Sequence, residues 1–230
     1  MQDFDESFPG LVPPQRIGIV GAGHFGYLAA QRLSHRYPKA SFLVVDHRRE
    51  KLDRIERDFR LPVHAEDLAS FFENPWVDDK TWIIPAVPVH FAFAWLLHEL
   101  RRTGCAEPLP VPETVAAQIP NPYRAPSGSL CASFATFICP DTCKEPDAIC
   151  TYTKGPRRGN LFEELGKISV PGCDVIVIRS WQLAPGVGGY PGSSLKGFLD
   201  EITASPEGCY VIVTSCRCHG VIDALKWQRS

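Results

Sequence analysis

The chain has 230 residues, 44% of them hydrophobic, with a formal net charge of −2. That is enough apolar content for one large α/β domain or two small ones, and its scattered Lys and Arg leave no basic stripe for nucleic acid. The longest apolar stretch, around Phe91 to Leu97, is closed by His98 and Glu99 and is too short to span a bilayer. The acidic Met1 to Ser7 does not read as a signal peptide, so the expected compartment is the cytoplasm, with no membrane insertion.

In chain order, residues 1–15 read as a loose lead-in with Pro9, Gly10, Pro13 and Pro14. A strand is predicted over Arg16 to Val20, a helix from about Gly23 to Arg36 before Pro38, and a second strand from Ser41 to Asp46. A charged helix follows near Glu50 to Phe59, then a short strand at Leu61 to His64 and a helix from Glu66 or Asp67. Trp82 to Ala86 reads as a fourth strand, Val89 to Arg102 as an apolar helix, and Leu109 to Val111 as a fifth, short strand. Six prolines between Pro108 and Pro126 mark a crossover. Strands are predicted over Leu130 to Ile138, Ile149 to Thr153, Asp174 to Arg179 and Cys209 to Thr214. Pro185 to Gly192 is expected to be a glycine-rich loop, and Ser194 to Thr203 and Val221 to Trp227 helices. The fold class expected is α/β, a Rossmann-like parallel sheet with a second, Cys-rich α/β half that continues or duplicates the sheet. The expected divisions are 1–107, a Pro-rich crossover over 108–126, and 127–230.

The most informative stretch is Gly21-Ala22-Gly23-His24-Phe25-Gly26, a Gly-x-Gly-x-x-Gly turn between a strand and a helix. Gly21 permits the turn, Gly23 lets a pyrophosphate reach the backbone, and Gly26 lets helix and strand approach. First-turn amides and the helix dipole favour the anion. Asp46 lies 20 residues beyond Gly26, the spacing of an acid that bonds an adenosine ribose. The cofactor expected is NAD(H). Asp46 repels a 2′-phosphate, whereas the following His47, Arg48 and Arg49 weaken that preference, and FAD and S-adenosylmethionine use turns of the same kind. His24 is placed to donate to a phosphate or simply to face solvent.

Residues 16–105, two fifths of the chain, resemble the TrkA-N type of NAD-binding domain found in regulators of potassium transport. The resemblance rests on Gly21, Gly23, Gly26 and Asp46, on Val63-His64-Ala65-Glu66-Asp67, and on Ile83-Ile84-Pro85-Ala86-Val87. It implies that Ala86 ends a strand facing the nucleotide, and that the chain senses NAD(H) for a membrane transport complex. The second half departs from the small ligand-binding domain that follows in that family.

Nine cysteines without a secretion signal argue against a disulfide framework. Cys139, Cys143 and Cys150 lie within twelve residues on a proline-punctuated turn, and Cys216-Arg217-Cys218-His219 follows a predicted strand. Strand ends gather on one side of a parallel sheet, so the two groups can meet as a zinc or iron–sulfur site, or act as redox thiols. Cys105, Cys131, Cys173 and Cys209 read as small, half-buried hydrophobes. His64, His90 and His98 read as packing or surface residues, and Glu163 and Glu164 as a solvated helix face.

Three readings are open: an NAD(H)-binding regulator or sensor, which is favoured; an NAD-dependent oxidoreductase with a zinc or iron–sulfur centre, the runner-up; and a non-catalytic scaffold that keeps the Rossmann half only for its fold, which the intact glycine turn and Asp46 disfavour. No Ser/His/Asp constellation is legible, so whether the chain is an enzyme is left open. The partners implied are the dinucleotide and either a transport complex or a redox partner. A homodimer is open.

Overall fold

The structure, a computed structural model, describes residue 8 and residues 11–230; most of the expected lead-in lies outside them. The contacts divide the chain into two compact units, residues 1–86 with 187–193, and residues 87–186 with 194–230. Both are α/β.

The first unit is a set of strand–helix–strand crossovers. β1 (Arg16–Val20), α1 (His24–Arg36), β2 (Ser41–Asp46), α2 (Arg49–Phe59), β3 (Val63–Ala65), α3 (Leu68–Phe72) and β4 (Thr81–Pro85) follow in order. The strands lie in the order β3-β2-β1-β4, all parallel, with Ile17 opposite Phe42 and Trp82. β1 and β2 are continuous apolar runs buried on both faces, as parallel strands must be when helices cover them. α1 buries Gly26, Ala29, Ala30 and Leu33, a stripe with helical spacing, and ends where the Tyr37 amide donates to Leu33 O. α2 buries only Leu52 and Ile55 and ends at Arg60 in the left-handed conformation (φ 56°). Asp67 caps α3 by accepting the Ser70 amide at 2.8 Å.

β10 (Val187–Pro191) then pairs antiparallel with β4 through Tyr190–Ile83 and Pro191–Trp82. This corrects the expected glycine-rich loop over Pro185 to Gly192. A Cβ on Gly189 would stand 2.5 Å from the Ile83 carbonyl oxygen, so that glycine permits strand pairing and not the approach of a ligand.

The second unit has a different architecture. It contains α4 (Phe91–Arg101), β5 (Gly104–Leu109), α5 (Glu113–Ala116), β6 (Tyr123–Arg124), β7 (Leu130–Ser133), α6 (Leu161–Leu165), β8 (Asp174–Arg179) and β9 (Trp181–Ala184). Most of α7 (Gly192–Ala204), then β11 (Glu207–Ser215) and β12 (His219–Arg229), complete it. The sheet order is β6-β7-β12-β11-β8, and β5 also pairs with β12. Only β8 and β11 are parallel; β12 runs antiparallel to β11, β5 and β7.

The second half therefore adds no parallel strand to the first sheet and does not duplicate it: β10 extends it antiparallel, and the second sheet is largely antiparallel. The predicted helix over Val221 to Trp227 is the central strand β12, held along its whole length by β11 and on its other edge by β5 and then β7. Ile222 and Ala224 join a core cluster with Leu130, Leu161, Leu165, Val211 and Val213. Leu225 and Trp227, of the opposite pleat, are buried as well. Val221, Ile222, Ala224, Leu225 and Trp227 also fall at i, i+3 and i+4 spacing, so periodicity alone does not separate this strand from a helix.

Further corrections follow from long-range pairing. The expected fifth parallel strand is β5, which starts at Gly104 and belongs to the second sheet. Leu130 to Ile138 is a strand only to Ser133, and Ile149 to Thr153 contributes a single bridge from Ile149 to Pro156. The division falls at Ala86, not near residue 107, because α4 and β5 share the second unit's contacts. No helix among the described residues is long and apolar enough to cross a membrane.

Candidate functional site

The first candidate lies at the carboxyl ends of β1, β2 and β4. The Gly21 amide donates to Val45 O and the Ala86 amide to Val20 O, both at 2.7 Å, which locks the three strand ends together. Gly21 turns the chain with a φ of 102°, in the left-handed region that favours glycine. A Cβ on Gly26 would lie 1.8 Å from the Gly21 carbonyl oxygen, so Gly26 is required by the fold itself. Gly23 is different: its φ is −71°, and a Cβ there would meet only Lys51 Nζ, at 3.8 Å. Nothing inside the protein requires that position to lack a side chain. Gly23 is also the N-cap of α1 and offers no capping side chain, so an anion can take that place.

Asp46, 7% exposed, closes one side. Its Oδ2 accepts the Ala22 amide at 2.8 Å and its Oδ1 the Arg48 amide at 2.9 Å. Burial works to raise its pKa, but the Ala22 and Arg48 amides, then the charges of Lys51 and His47, outweigh it and hold the carboxyl below its ordinary value. An ionised carboxylate has lone pairs for two further donors, as a ribose diol would supply. His24, Phe25, His47 and Arg48 are exposed, and Ala86 is half-buried. Lys51 was missed by the sequence reading. It sits on α2, five residues beyond Asp46, with its ammonium facing both Gly23 and Asp46, and no motif flags it.

The second candidate is in the second unit. The Cys139–Cys150 loop and the Cys216–His219 turn lie against each other. Arg217 ties them: its amide donates to Glu145 Oε1 at 2.7 Å, and its guanidinium reaches Asp147 at 2.5 Å and Asn160 at 3.0 Å. The Phe134 amide fixes the Cys218 carbonyl at 2.9 Å. Cys139, Cys150 and Cys218 line one pocket of about 400 Å³ with Phe134, Phe137 and Arg157. Burial, then the neighbouring thiols of Cys218, Cys143 and Cys150, push the Cys139 pKa up to about 11. The Cys143 thiol accepts the Glu145 amide and reaches Thr151 Oγ1, each at 3.4 Å. Hydrogen bonds from Thr153 lower the Cys150 pKa.

Cys216 stands apart from the pocket. Its sulfur accepts the amides of Cys218 and His219 at 3.4 Å, and burial raises its pKa. Among the described residues no group of three or more His, Cys, Asp or Glu side chains is disposed to hold a single metal ion.

Two cysteine expectations are corrected. Cys173 and Cys209 are joined in a disulfide, because they stand side by side where the parallel strands β8 and β11 begin. Cys105 is exposed, not half-buried. His90 is neither a surface residue nor plain packing. It is 6% exposed, with Nδ1 2.8 Å from Asp223 Oδ2 and Nε2 2.9 Å from Thr214 Oγ1. These partners come from β11 and β12, so no local signal announces them. Glu163 and Glu164 are exposed on α6, as expected.

The geometry thus defines an α/β protein with an anion-favouring glycine turn in one unit and a thiol-lined pocket in the other. The chain belongs to the AF_1314_C family, described as "Uncharacterized protein, C-terminal domain", whose model matches residues 92–228. It is also 28% identical over 221 residues to an "Uncharacterized protein" of Archaeoglobus fulgidus, a match covering 90% of this chain and 98% of that one. The family match starts within α4 and takes in every candidate thiol.

Proposed function

We propose that the first unit binds NAD(H) and that the chain is a dinucleotide-responsive regulatory protein, with the potassium-transport regulators of TrkA-N type as its nearest functional analogy. The observation that carries this reading is the open space at Gly23. Gly21 and Gly26 are explained by the turn and by helix–strand contact, whereas no clash requires a glycine at position 23, and its bare N-cap backbone leaves room for an approaching anion. A diphosphate there would face the α1 amides and Lys51, and the adenosine ribose would donate to Asp46.

The same geometry favours binding over turnover. The Asp46 carboxyl is held below its ordinary value, which makes it a poor proton donor or acceptor near neutrality. Bound dinucleotide acts as a signal to the extent that it binds one state of the chain better than another.

The test is Gly23→Val. Its Cβ replaces only the space next to Lys51, so the variant should fold and melt within about 1 kcal/mol of the parent. Its NADH affinity, read by fluorescence titration, should fall at least roughly a hundredfold, about 2.7 kcal/mol. Unchanged affinity in a folded variant would overturn the assignment. The thiol pocket favours a second reading, an NAD-dependent oxidoreductase. Steady NADH oxidation by the purified protein with an added electron acceptor would establish it in place of the first.

A further inference from the structure

We propose that Cys139, Cys143, Cys150 and Cys218 are the four ligands of an iron–sulfur cluster seated in the second unit's pocket, with Arg157 as its counter-charge and Cys216 excluded. The proposal stands on the second unit alone and does not depend on dinucleotide binding.

Three observations converge. First, the fold spends specific contacts on bringing Cys218 to the Cys139–Cys150 loop. Glu145, Asp147 and Asn160 all engage Arg217, next door to Cys218, and Phe134 holds the Cys218 carbonyl. Disordered or incidental thiols would not need such ties.

Second, the pocket holds an unmet demand. Arg157 lines it, yet its Nε and Nη2 are buried without a hydrogen-bond partner among the described residues. Native proteins seldom leave buried guanidinium nitrogens unpaired, so such a group calls for a water, an ion or a ligand. Sulfide and thiolate sulfurs are acceptors for these N–H groups, and a four-thiolate cluster carries the negative charge that a buried guanidinium needs.

Third, the geometry discriminates between kinds of metal. One zinc ion requires four sulfurs at about 2.3 Å from a single point. Among the described residues no three donors are so disposed. In a cluster the thiolates are shared out among the irons, so they ring a volume without meeting at a centre. Phe134, Phe137 and Pro156 supply the apolar wall that shields such a group from water.

Neither Cys143 nor Cys216 lines the pocket itself, but the two differ in what they touch. The Cys143 sulfur reaches Thr151 Oγ1, next to Cys150, whereas the Cys216 sulfur is held by Cys218 and His219 of its own turn and is left out of the set.

The experiment uses the full chain purified anaerobically after expression with added iron and sulfur source. Expected are iron and acid-labile sulfide in about equal amounts, a broad visible absorption bleached by dithionite, and an electron paramagnetic signal in the reduced state. Cys139→Ser and Cys218→Ser should lose iron at least roughly tenfold, whereas Cys216→Ser should keep the parental spectrum. Arg157→Met should keep iron but reduce at a more negative potential, because the charge that favours the electron is gone. Circular dichroism establishes that each variant is folded. Stoichiometric zinc without sulfide, or a metal-free protein after reconstitution with iron and sulfide, would overturn the cluster. Loss of the chromophore in a folded Cys216→Ser would overturn the ligand assignment.

Discussion

In the first unit, β1 to β4 are joined by local crossovers, with β10 added from late in the chain, and the site around Gly23 is built from β1, α1, β2, the start of α2 and the end of β4. In the second, β12 is the last strand of the chain and still pairs with β5, more than a hundred residues earlier. Its thiol pocket joins two segments over sixty residues apart. The first arrangement closes short loops, and the second must close long ones before its contacts form. Chemistry built on a contiguous turn is therefore sensitive to single backbone atoms, whereas chemistry assembled over distance is sensitive to the ties that hold its segments.

The sharpest way to break this comparison is at Gly26. Gly26→Val would put a Cβ 1.8 Å from the Gly21 oxygen, with two methyl groups beyond it, and α1 would have to leave β1. The expected cost is about 3 kcal/mol or more, read as early melting in thermal denaturation. Three residues away, Gly23→Val should melt like the parent. If the two variants melted alike, the separate roles of the two glycines would be lost.

The next effect belongs to the second unit. The disulfide between Cys173 and Cys209 closes a loop with a sequence separation of 36, which stabilises by about 4 kcal/mol through the unfolded state. The first unit contains no cysteine. Reductant should therefore lower the urea midpoint of the second unit and leave a near-ultraviolet signal from Trp82 unmoved. A Cys173→Ala/Cys209→Ala variant should sit at the reduced midpoint whatever the redox state. Equal sensitivity of both units to reductant would contradict the division drawn here.

How much could be read in advance follows the same line. β1, β2 and β8 lie where their apolar runs place them, because a β-branched run bounded by turn residues is a local signal. The glycine turn was legible for the same reason. The β12 strand was not: Val221 to Trp227 is apolar enough for either element, and only pairing with β11, β5 and β7 decides it. The glycines before α7 read as a loop, but Gly189 serves the backbone of Ile83. Cys173 and Cys209 looked like ordinary half-buried thiols, since their adjacency exists only once β8 and β11 align. The convergence of Cys218 on the Cys139–Cys150 loop was anticipated from strand ends of a parallel sheet. It is reached instead through Arg217 in a largely antiparallel one.

The smallest effect sharpens the first site most finely. Asp46 accepts one amide on each carboxylate oxygen. Asp46→Asn keeps the shape but retains one acceptor and turns its own N–H₂ toward the other amide. The expected loss is about 1–2 kcal/mol in stability at pH 7 and about tenfold in NADH affinity. The pH dependence has a definite sign. The folded carboxyl titrates below its ordinary value, so its ionised form is favoured by folding. That contribution is fully present above about pH 4, the unfolded range of an aspartate, and fades as pH falls through the lower folded value. The stability gap between parent and Asp46→Asn should therefore be constant from pH 5 to 8 and shrink below about pH 4, measured by urea titration at each pH. A gap that widened in acid would mean that Asp46 is protonated in the folded chain, and a neutral carboxyl could not serve as the ribose anchor.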